Sequence, residues 1–488
     1  MKYTILDCYT DEPAGLGVPP YMGTYPRYIA GYLMQQGHEV DYITIDDLRL
    51  LKKYNNIKKE PTEKEKTNIR IYNTTGKPTQ KILDSTEILI VILGVHVPGK
   101  YLSAIPGTLR EITPLIKDIN CKKILSGPAI YGTQLEGGKF FEKAKEDMFN
   151  KIENFNFSYD EIAEYAITGA DIVKNIPGLR IIEIETSRGC SRKSGCSFCT
   201  EILKSRLQFR KQDDIIKEIK RFTDLGMKYF RLGKQSCFYS YPSAAKLLQD
   251  IRKECPNIKI LHIDNVNPAN VIKDEKDGAP ITRAIVQYCS PGNVAAFGAE
   301  SFDPVVCKEN NLNSDTETTY NAIRILNKYG SEIGSNGMPK FLPGINILFG
   351  LKGESKKTHE ENMHWLKKIL DNNLLIRRIN IRQVSIFEGT KLYEECGNKF
   401  LKKNRKYYWK WRNQIRQEID YPMLKRLVPE GAIIKDAYSE IYDGKTTFLR
   451  QIGTYPLIIG IKKRLPLNKP YNIKVVGHML RSIVGEEI

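Results

Sequence analysis

Short apolar runs alternate with stretches of helical periodicity through roughly the first 180 residues, the pattern of a parallel sheet covered by helices. Strand-length runs lie at 3–8, 39–44, 88–93 and 123–125. A Gly- and Pro-rich loop at 11–23 follows the first run, and a helix near 24–36 ends at Gly37. Residues 52–81 are charged and poor in apolar positions, which predicts an exposed excursion, whereas 137–157 is helical and amphipathic in composition. A second alternating series starts at Ile181, with strands predicted at 181–186, 229–232, 258–262, 294–297, 344–349 and 379–385. Helical patterns separate them near 212–225, 242–253, 279–288, 317–329 and 356–372. Six β/α units predict an open, partial (β/α)6 TIM barrel whose ligands sit at the C-terminal strand ends. After Phe400 the texture changes to a basic, aromatic helix at 402–417, then to strand-like runs at 448–452, 457–461 and 473–476. The expected α/β architecture is a doubly wound, Rossmann-like domain at 1–175, the partial barrel at 176–395, and a small α+β extension at 396–488.

Composition supports packed cores: 41% of the 488 residues are hydrophobic, with no repeat and no low-complexity tract. A net charge of +18 favours anionic partners without choosing among them. The N-terminus lacks the basic flank and apolar run of a signal peptide, and runs such as 88–95 fall far short of the ~20 residues that span a bilayer. These features predict a soluble, cytoplasmic protein with no membrane partner. Ten cysteines are too few for a disulfide framework in so long a chain, but three lie within ten positions.

Those three, Cys190, Cys196 and Cys199, form a C-x5-C-x2-C pattern on a Gly-containing loop directly after the first barrel strand. Thiolates are soft ligands, and three of them can hold three irons of a [4Fe–4S] cluster while the fourth iron stays open. Structural zinc needs four ligands, and no Cys or His follows within thirty residues of Cys199, so zinc would require a distant fourth donor. Cys237, at the end of the second barrel strand, is a candidate hydrogen-atom donor, ligand or acid/base group, or else a small buried hydrophobe.

The trio, with Phe198 just before its last cysteine, resembles the radical S-adenosylmethionine superfamily. That family usually has C-x3-C-x2-C, so this chain carries two extra residues in the first interval. The resemblance implies an open iron that takes the amino and carboxylate groups of S-adenosylmethionine, and reductive cleavage to a 5′-deoxyadenosyl radical. Downstream segments match in order. Residues 297–301 (FGAES) resemble the fourth-strand motif, with Glu300 expected at the nucleoside. Residues 350–355 (GLKGES) resemble the turn after strand five, with Gly350 and Glu354 on the cofactor side and Lys352 in place of proline. Residues 382–384 and 387–390 (RQV, FEGT) resemble the sixth-strand ending of members with cobalamin domains, which implicates Arg382. Where a Gly-Gly-Glu motif often follows strand two, this chain has RLGKQS at 231–236.

The N-terminal region is similar to the cobalamin-binding domain of class B radical methylases. The similarity rests on the 15–21 loop with Gly15 and Gly17, on Gly37 to Val40, on Gly127-Pro128, and on Gly169 to Asp171. It implies cobalamin near Gly15, Gly17 and Gly127, with His96 a candidate cobalt or corrin contact or an ordinary loop histidine. No Asp-x-His-x-x-Gly motif is present, so a histidine-ligated, base-off cobalamin is not expected. The implied activity is a cobalamin-dependent radical methyltransferase acting on an unactivated carbon of a small molecule or of a protein such as methyl-coenzyme M reductase. An electron donor such as ferredoxin or flavodoxin is implied as well. The Lys-, Ile- and Asn-rich composition has an archaeal character.

Three alternatives remain: a tRNA methylthiotransferase, a cobalamin-using radical cyclase or rearrangement enzyme, and a non-catalytic iron–sulfur nucleic-acid-binding protein. A methylthiotransferase needs three further cysteines before the trio, and only Cys8 and Cys121 precede Cys190. The basic 402–416 stretch, with Tyr407, Tyr408, Trp409 and Trp411, fits RNA binding. It fits better a helix that packs its aromatics on the barrel.

Overall fold

The computed structural model describes residues 1–9, 21–63, 71, 73–94, 105–135, 140–144, 146–178 and 181–488. The chain begins with a five-stranded parallel sheet. Its spatial order is Glu39–Thr44, Lys2–Asp7, Ile88–Ile92, Lys122–Ser126, Lys151–Ile152, the 2-1-3-4-5 order of a doubly wound sheet. Apolar strands such as Ile88–Ile92 are buried on both faces, as a helix-covered parallel sheet requires. The order reverses between Lys2–Asp7 and Ile88–Ile92, and doubly wound folds take their ligands beyond the C-terminal strand ends at such a switch point. The segments that follow those two strands carry Gly15, Gly17 and His96, which lie outside the described residues.

The described residues of 137–157 do not form the amphipathic helix their composition suggests. The described part holds the short strand Phe140–Glu142, a 3₁₀ turn at Glu146–Met148 and the edge strand Lys151–Ile152. Asn150, Asn154 and Asn156 disfavour helix, and the sheet edge at Ile124 and Leu125 recruits Lys151 and Ile152 instead. The 52–81 excursion also contains more structure than expected, because Ile45–Tyr54 extends into it and Thr79–Ser85 begins within it.

Six parallel strands make the open barrel: Ile181–Glu185, Tyr229–Gly233, Ile260–Ile263 continued by Asn265–Val266, Asn293–Glu300, Phe341–Phe349 and Arg378–Gln383. A seventh piece comes from the N-terminal region. Tyr21–Met22 pairs in parallel with Ile181–Glu185 and extends the barrel sheet beyond its first strand. The following helix, Thr24–Gln35, lies against the barrel through a buried ion pair, Arg27 Nη2 to Glu218 Oε1 at 2.6 Å, and Arg210 meets the other oxygen of Glu218. One hydrophobic core therefore runs from Tyr3 and Ile5 through Ile182, Phe230 and Ile345 to Trp411.

The long helix Lys399–Ile415 covers the open edge of the sixth strand, where Tyr408 Oη and Arg416 Nη1 donate to the carbonyls of Ile381 and Ile379. A π turn at Arg416–Asp420 leads into the helix Tyr421–Leu427. The last region is a closed five-stranded barrel ordered Ile433–Tyr442, Thr447–Arg450, Ile458–Ile461, Ile483–Glu487, Pro470–His478. Its third and fifth strands are parallel and its other pairings antiparallel. Among the described residues no helix is long and apolar enough to cross a membrane.

Candidate functional site

Cys190, Cys196 and Cys199 are half-buried free thiols on the loop that leaves the first barrel strand at its C-terminal end. Three neighbours fix this loop. Ser197 donates through its N–H and Oγ to Asn310 O and Oδ1 at 2.9 and 2.8 Å, after the fourth strand. Asn310 also bonds Lys352 through N–H···Oδ1 (3.2 Å) and Nδ2···O (2.8 Å), which ties in the turn after the fifth strand. Leu392 N donates to Ser197 O at 2.8 Å, which adds the segment after the sixth. Phe198 packs with Val306, Leu351, Val384 and Leu392 in a small hydrophobic cluster beneath these bonds.

The longer first interval has a structural use. Arg192 Nη1 donates to Cys196 Sγ (3.2 Å) and its Nη2 to Asn311 O (2.8 Å), while Asn311 Nδ2 reaches Gly195 O (2.6 Å) and Ser194 Oγ (2.8 Å). Burial pushes the Cys196 thiol up to about 11 and Cys199 to about 12, with Arg192 working against that rise at Cys196. A bound cation would reverse the balance, because a coordinated thiol is deprotonated outright. Among the described residues no three Cys, His, Asp or Glu side chains converge on a single-ion site. Three thiolates on one loop can each bind a different iron of a cluster, whereas structural zinc takes four ligands.

The other expected residues separate into groups. Glu300 ends the fourth strand in the left-handed region at φ 61°, past an irregularity in strand pairing, and is buried. Burial pushes its carboxyl up to about 7, and the Arg382 guanidinium on the last strand opposes this. Gly350 has φ +98°, a conformation that suits glycine, and its N–H donates to Glu354 Oε2 at 2.6 Å. Glu354 is buried and also accepts from Asn404 Nδ2 at 2.9 Å, so its carboxylate closes the 350–355 turn and braces the long helix. Cys237 is buried in the main core and accepts from Asn267 N–H at 3.2 Å. Gly127, at φ 89°, follows Lys122–Ser126 on the C-terminal side of the N-terminal sheet.

Polar residues inside the barrel escaped the sequence reading. Ile182, Ile184, Phe230, Leu232, Leu261 and Ile263 join the outer core, which leaves Glu183, Arg231, His262 and Asp264 on the opposite, lumenal face. Arg231 Nη2 meets Glu183 Oε1 at 2.8 Å, and Asn380 Nδ2 donates to Asn346 Oδ1 at 3.0 Å. Gln235, within the RLGKQS segment, is buried and joins the loops by accepting from Thr186 Oγ1 and donating to Leu232 O. The signal was present: parallel strands normally read as continuous apolar runs, yet IIEIE, YFRLG and ILHI are broken by charged or polar residues.

The barrel floor comes from the C-terminal region. Residues 451–457, between two strands of the closed barrel, push into the N-terminal end of the open one. Ile452 packs with Ile181, Tyr229 and Ile260. Thr454 N–H donates to His262 Nδ1 (2.9 Å), and His262 Nε2–H reaches Ser290 O (3.0 Å), a pairing that fixes a neutral imidazole. Tyr455 Oη donates to Asp264 (3.3 Å), its carbonyl accepts from Arg377, and the Arg378 guanidinium lies 4.8 Å from its ring centroid.

No protein-family model matches the chain. An uncharacterized protein of Methanocaldococcus jannaschii is 41% identical over 99% of this chain and 93% of its own length. An uncharacterized protein of Archaeoglobus fulgidus is 38% identical over the whole of this chain and 90% of its own length. Among solved structures, the radical S-adenosylmethionine methyltransferase TsrM from Kitasatospora setae superimposes with a TM-score of 0.50 at 13% identity. The match covers 80% of this chain and 74% of that one. At this identity the likeness concerns the fold: a doubly wound domain followed by a partial barrel, as the sequence patterning predicts.

Proposed function

The chain belongs to one family with these Methanocaldococcus jannaschii and Archaeoglobus fulgidus proteins, and we propose that it is a cobalamin-dependent radical S-adenosylmethionine methyltransferase acting on an unactivated carbon. The observation that carries this reading is the bracing of the three-thiol loop at the barrel mouth. Ser197, Asn310, Lys352 and Leu392 bind it to the segments after strands four, five and six, at the strand ends that carry Glu300 and Arg382. TsrM supports the reading, because that protein is a radical S-adenosylmethionine methyltransferase whose structure holds tryptophan substrate and a S-adenosylmethionine analogue.

Cys190, Cys196 and Cys199 would hold the cluster, Glu300 and Arg382 would face S-adenosylmethionine, and the crevice beyond Lys2–Asp7 and Ile88–Ile92 would take cobalamin. When bound, the cluster and S-adenosylmethionine supply radical initiation and cobalamin supplies the methyl group. The chain's own part is to orient and to exclude water. Arg192 holds Cys196 by a charge-assisted hydrogen bond, and such outer-shell donors tune cluster potential. The 451–457 plug closes the barrel floor, so reactants enter only from the mouth or from the open side. Cys8, buried at the end of the first strand, belongs to a hydrophobic cluster, which further weakens a second cluster in the N-terminal domain.

Anaerobic reconstitution tests this reading. About four irons per chain, one cobalamin per chain and reductive cleavage of S-adenosylmethionine are expected, with cleavage abolished in Cys199→Ala. Stoichiometric zinc without cleavage, or cleavage retained in Cys199→Ala, overturns it.

A further inference from the structure

Charge is unevenly distributed along the chain. Residues 396–488 contain nineteen Lys and Arg against eight Asp and Glu, and so hold eleven of the eighteen net positive charges. Much of this lies on one helix. The inner face of Lys399–Ile415 buries Tyr408, Trp411 and Ile415 against the barrel. Its outer face exposes Lys402, Arg405, Lys406 and Lys410, none of them ion-paired among the described residues, and among them stands Trp409, 64% exposed. The Arg412 guanidinium lies 5.3 Å from the Trp409 ring centroid. An exposed tryptophan ringed by cations is a stacking platform inside a positive field.

A second element adjoins this helical region, where His478 Nε2 bonds Val428 O at 2.7 Å. The closed barrel has the order 1-2-3-5-4 with its third and fifth strands parallel, the arrangement of oligonucleotide-binding barrels, which use the loop between strands four and five for contact. Here that loop is 479–482. It presents exposed Met479 and Leu480, and Arg481 lies in the combined field of Arg416, Arg378 and Arg412. Arg481 is itself exposed in this loop. Against these cations stands the carboxylate of Asp420, already paired with Arg416. Arg378 and Arg382 sit four residues apart on the sixth strand of the open barrel. Arg416, just after the helix, donates to Ile379 O beside Arg378 at 2.7 Å, so a track of arginines runs from Arg412 on the outer helix to the last strand of the open barrel.

We propose that this surface binds single-stranded RNA, with Trp409 stacking a base, the lysines and arginines of Lys399–Ile415 and Arg481 contacting phosphates, and the track leading a nucleotide towards the open side of the barrel. Guanidinium forks match phosphate oxygens bidentately, and an anion relieves the mutual repulsion of crowded arginines. An acidic polypeptide would meet the charge but leave Trp409 without a stacked partner. A membrane would call for several apolar residues on the outer face of the helix, which shows one large one. Duplex DNA offers no unpaired base, whereas folded RNA presents unstacked bases in loops. Delivery of a nucleotide to the barrel rests on the proposed function, but RNA binding itself does not.

The test is fluorescence anisotropy with the full chain and a labelled single-stranded RNA of about 16 nucleotides. Duplex RNA, duplex DNA, polyglutamate and anionic phosphatidylserine vesicles serve as competitors. Expected are competition by unlabelled single strands well beyond the other four, and affinity that falls linearly in log–log salt plots, with a slope of about −0.7 per phosphate contact. Trp409→Ala should weaken RNA binding about tenfold while Trp409→Phe restores it, and Arg481→Gln should lower the salt slope by about 0.7. Ultraviolet crosslinks should fall on both Lys399–Ile415 and 479–482. Absence of binding at low salt overturns the proposal. So do equal competition by polyglutamate, vesicles or duplexes, an unchanged Trp409→Ala variant, or crosslinks confined to other regions. A chain that binds RNA yet cleaves no S-adenosylmethionine leaves this inference standing and removes the enzymatic one.

Discussion

The chain contains two barrels with opposite interiors. The closed C-terminal barrel is filled by Ile434, Leu449, Ile459, Ile473, Val475 and Ile483. The open six-stranded barrel turns its aliphatic side chains outward to the helices and places Glu183, Arg231, His262, Asp264 and Asn380 within. Barrel interiors of this size are ordinarily packed with branched aliphatic residues, and the C-terminal one follows that rule. Burying charge costs stability unless it is paired, so a charged interior marks a chamber shaped for contents rather than for self-packing. The two are also joined, because the loop at 451–457 leaves the apolar barrel to floor the polar one.

The largest expected way to break this contrast is Arg231→Leu. It strands the Glu183 carboxylate, and removal of one member of a buried pair costs about 3–5 kcal/mol. A large drop in the thermal unfolding midpoint checks it, and Glu183→Leu combined with Arg231→Leu should recover most of the loss.

The floor offers a test of sign. Burial raises Asp264 from 3.8 to about 7, with Arg231 opposing and Glu183 adding, and burial lowers His262 from 6.5 to about 3. Asp264 alone contributes stability that is complete below about pH 4 and lost as pH rises through 7. His262 alone contributes stability that is present above about pH 6.5 and lost as pH falls towards 3. Between pH 4 and 6.5 the two slopes oppose each other. In that window His262→Gln should make stability fall with rising pH and Asp264→Asn should make it rise, each by up to about 1.4 kcal/mol per pH unit. Unfolding midpoints at several pH values show whether the slopes take opposite signs.

Two smaller effects sharpen the comparison. Tyr455→Phe removes the hydroxyl that donates to buried Asp264 and should cost about 1–3 kcal/mol. Because the plug is shared, that loss should register in the unfolding of both barrels. Ile459→Val, inside the closed barrel, should cost about 0.5–1.5 kcal/mol and leave S-adenosylmethionine cleavage unchanged. A large loss of cleavage would show that the two interiors are coupled beyond the plug.

Element type was legible wherever periodicity was strong. The six barrel strands and the helices Gln212–Asp224, Thr316–Gly330 and Lys356–Asp371 lie within a few residues of their predicted positions. The edge piece Tyr21–Met22 was illegible, since two residues in a Gly- and Pro-rich loop carry no period and become strand only beside Ile181 and Ile182. In the last region Ile433–Tyr442 and Ile483–Glu487 were missed, for closure of the barrel rather than local pattern makes them strands. The placement of Cys190, Cys196 and Cys199 after the first strand was legible as well. The purpose of their longer spacing was not, because Arg192 and Gly195 meet Asn311 more than a hundred residues away.

Sequence alone determined the order of the doubly wound sheet and partial barrel, the cysteine trio and the excess of basic residues. Each is written in local spacing or composition, which folding does not alter. Tertiary structure decided which polar residues face the lumen, that a C-terminal loop floors the barrel, and that Trp409 points outward while Trp411 packs inward. These depend on contacts between distant segments, and a one-residue change of register or of helical face would reverse them without altering any local pattern.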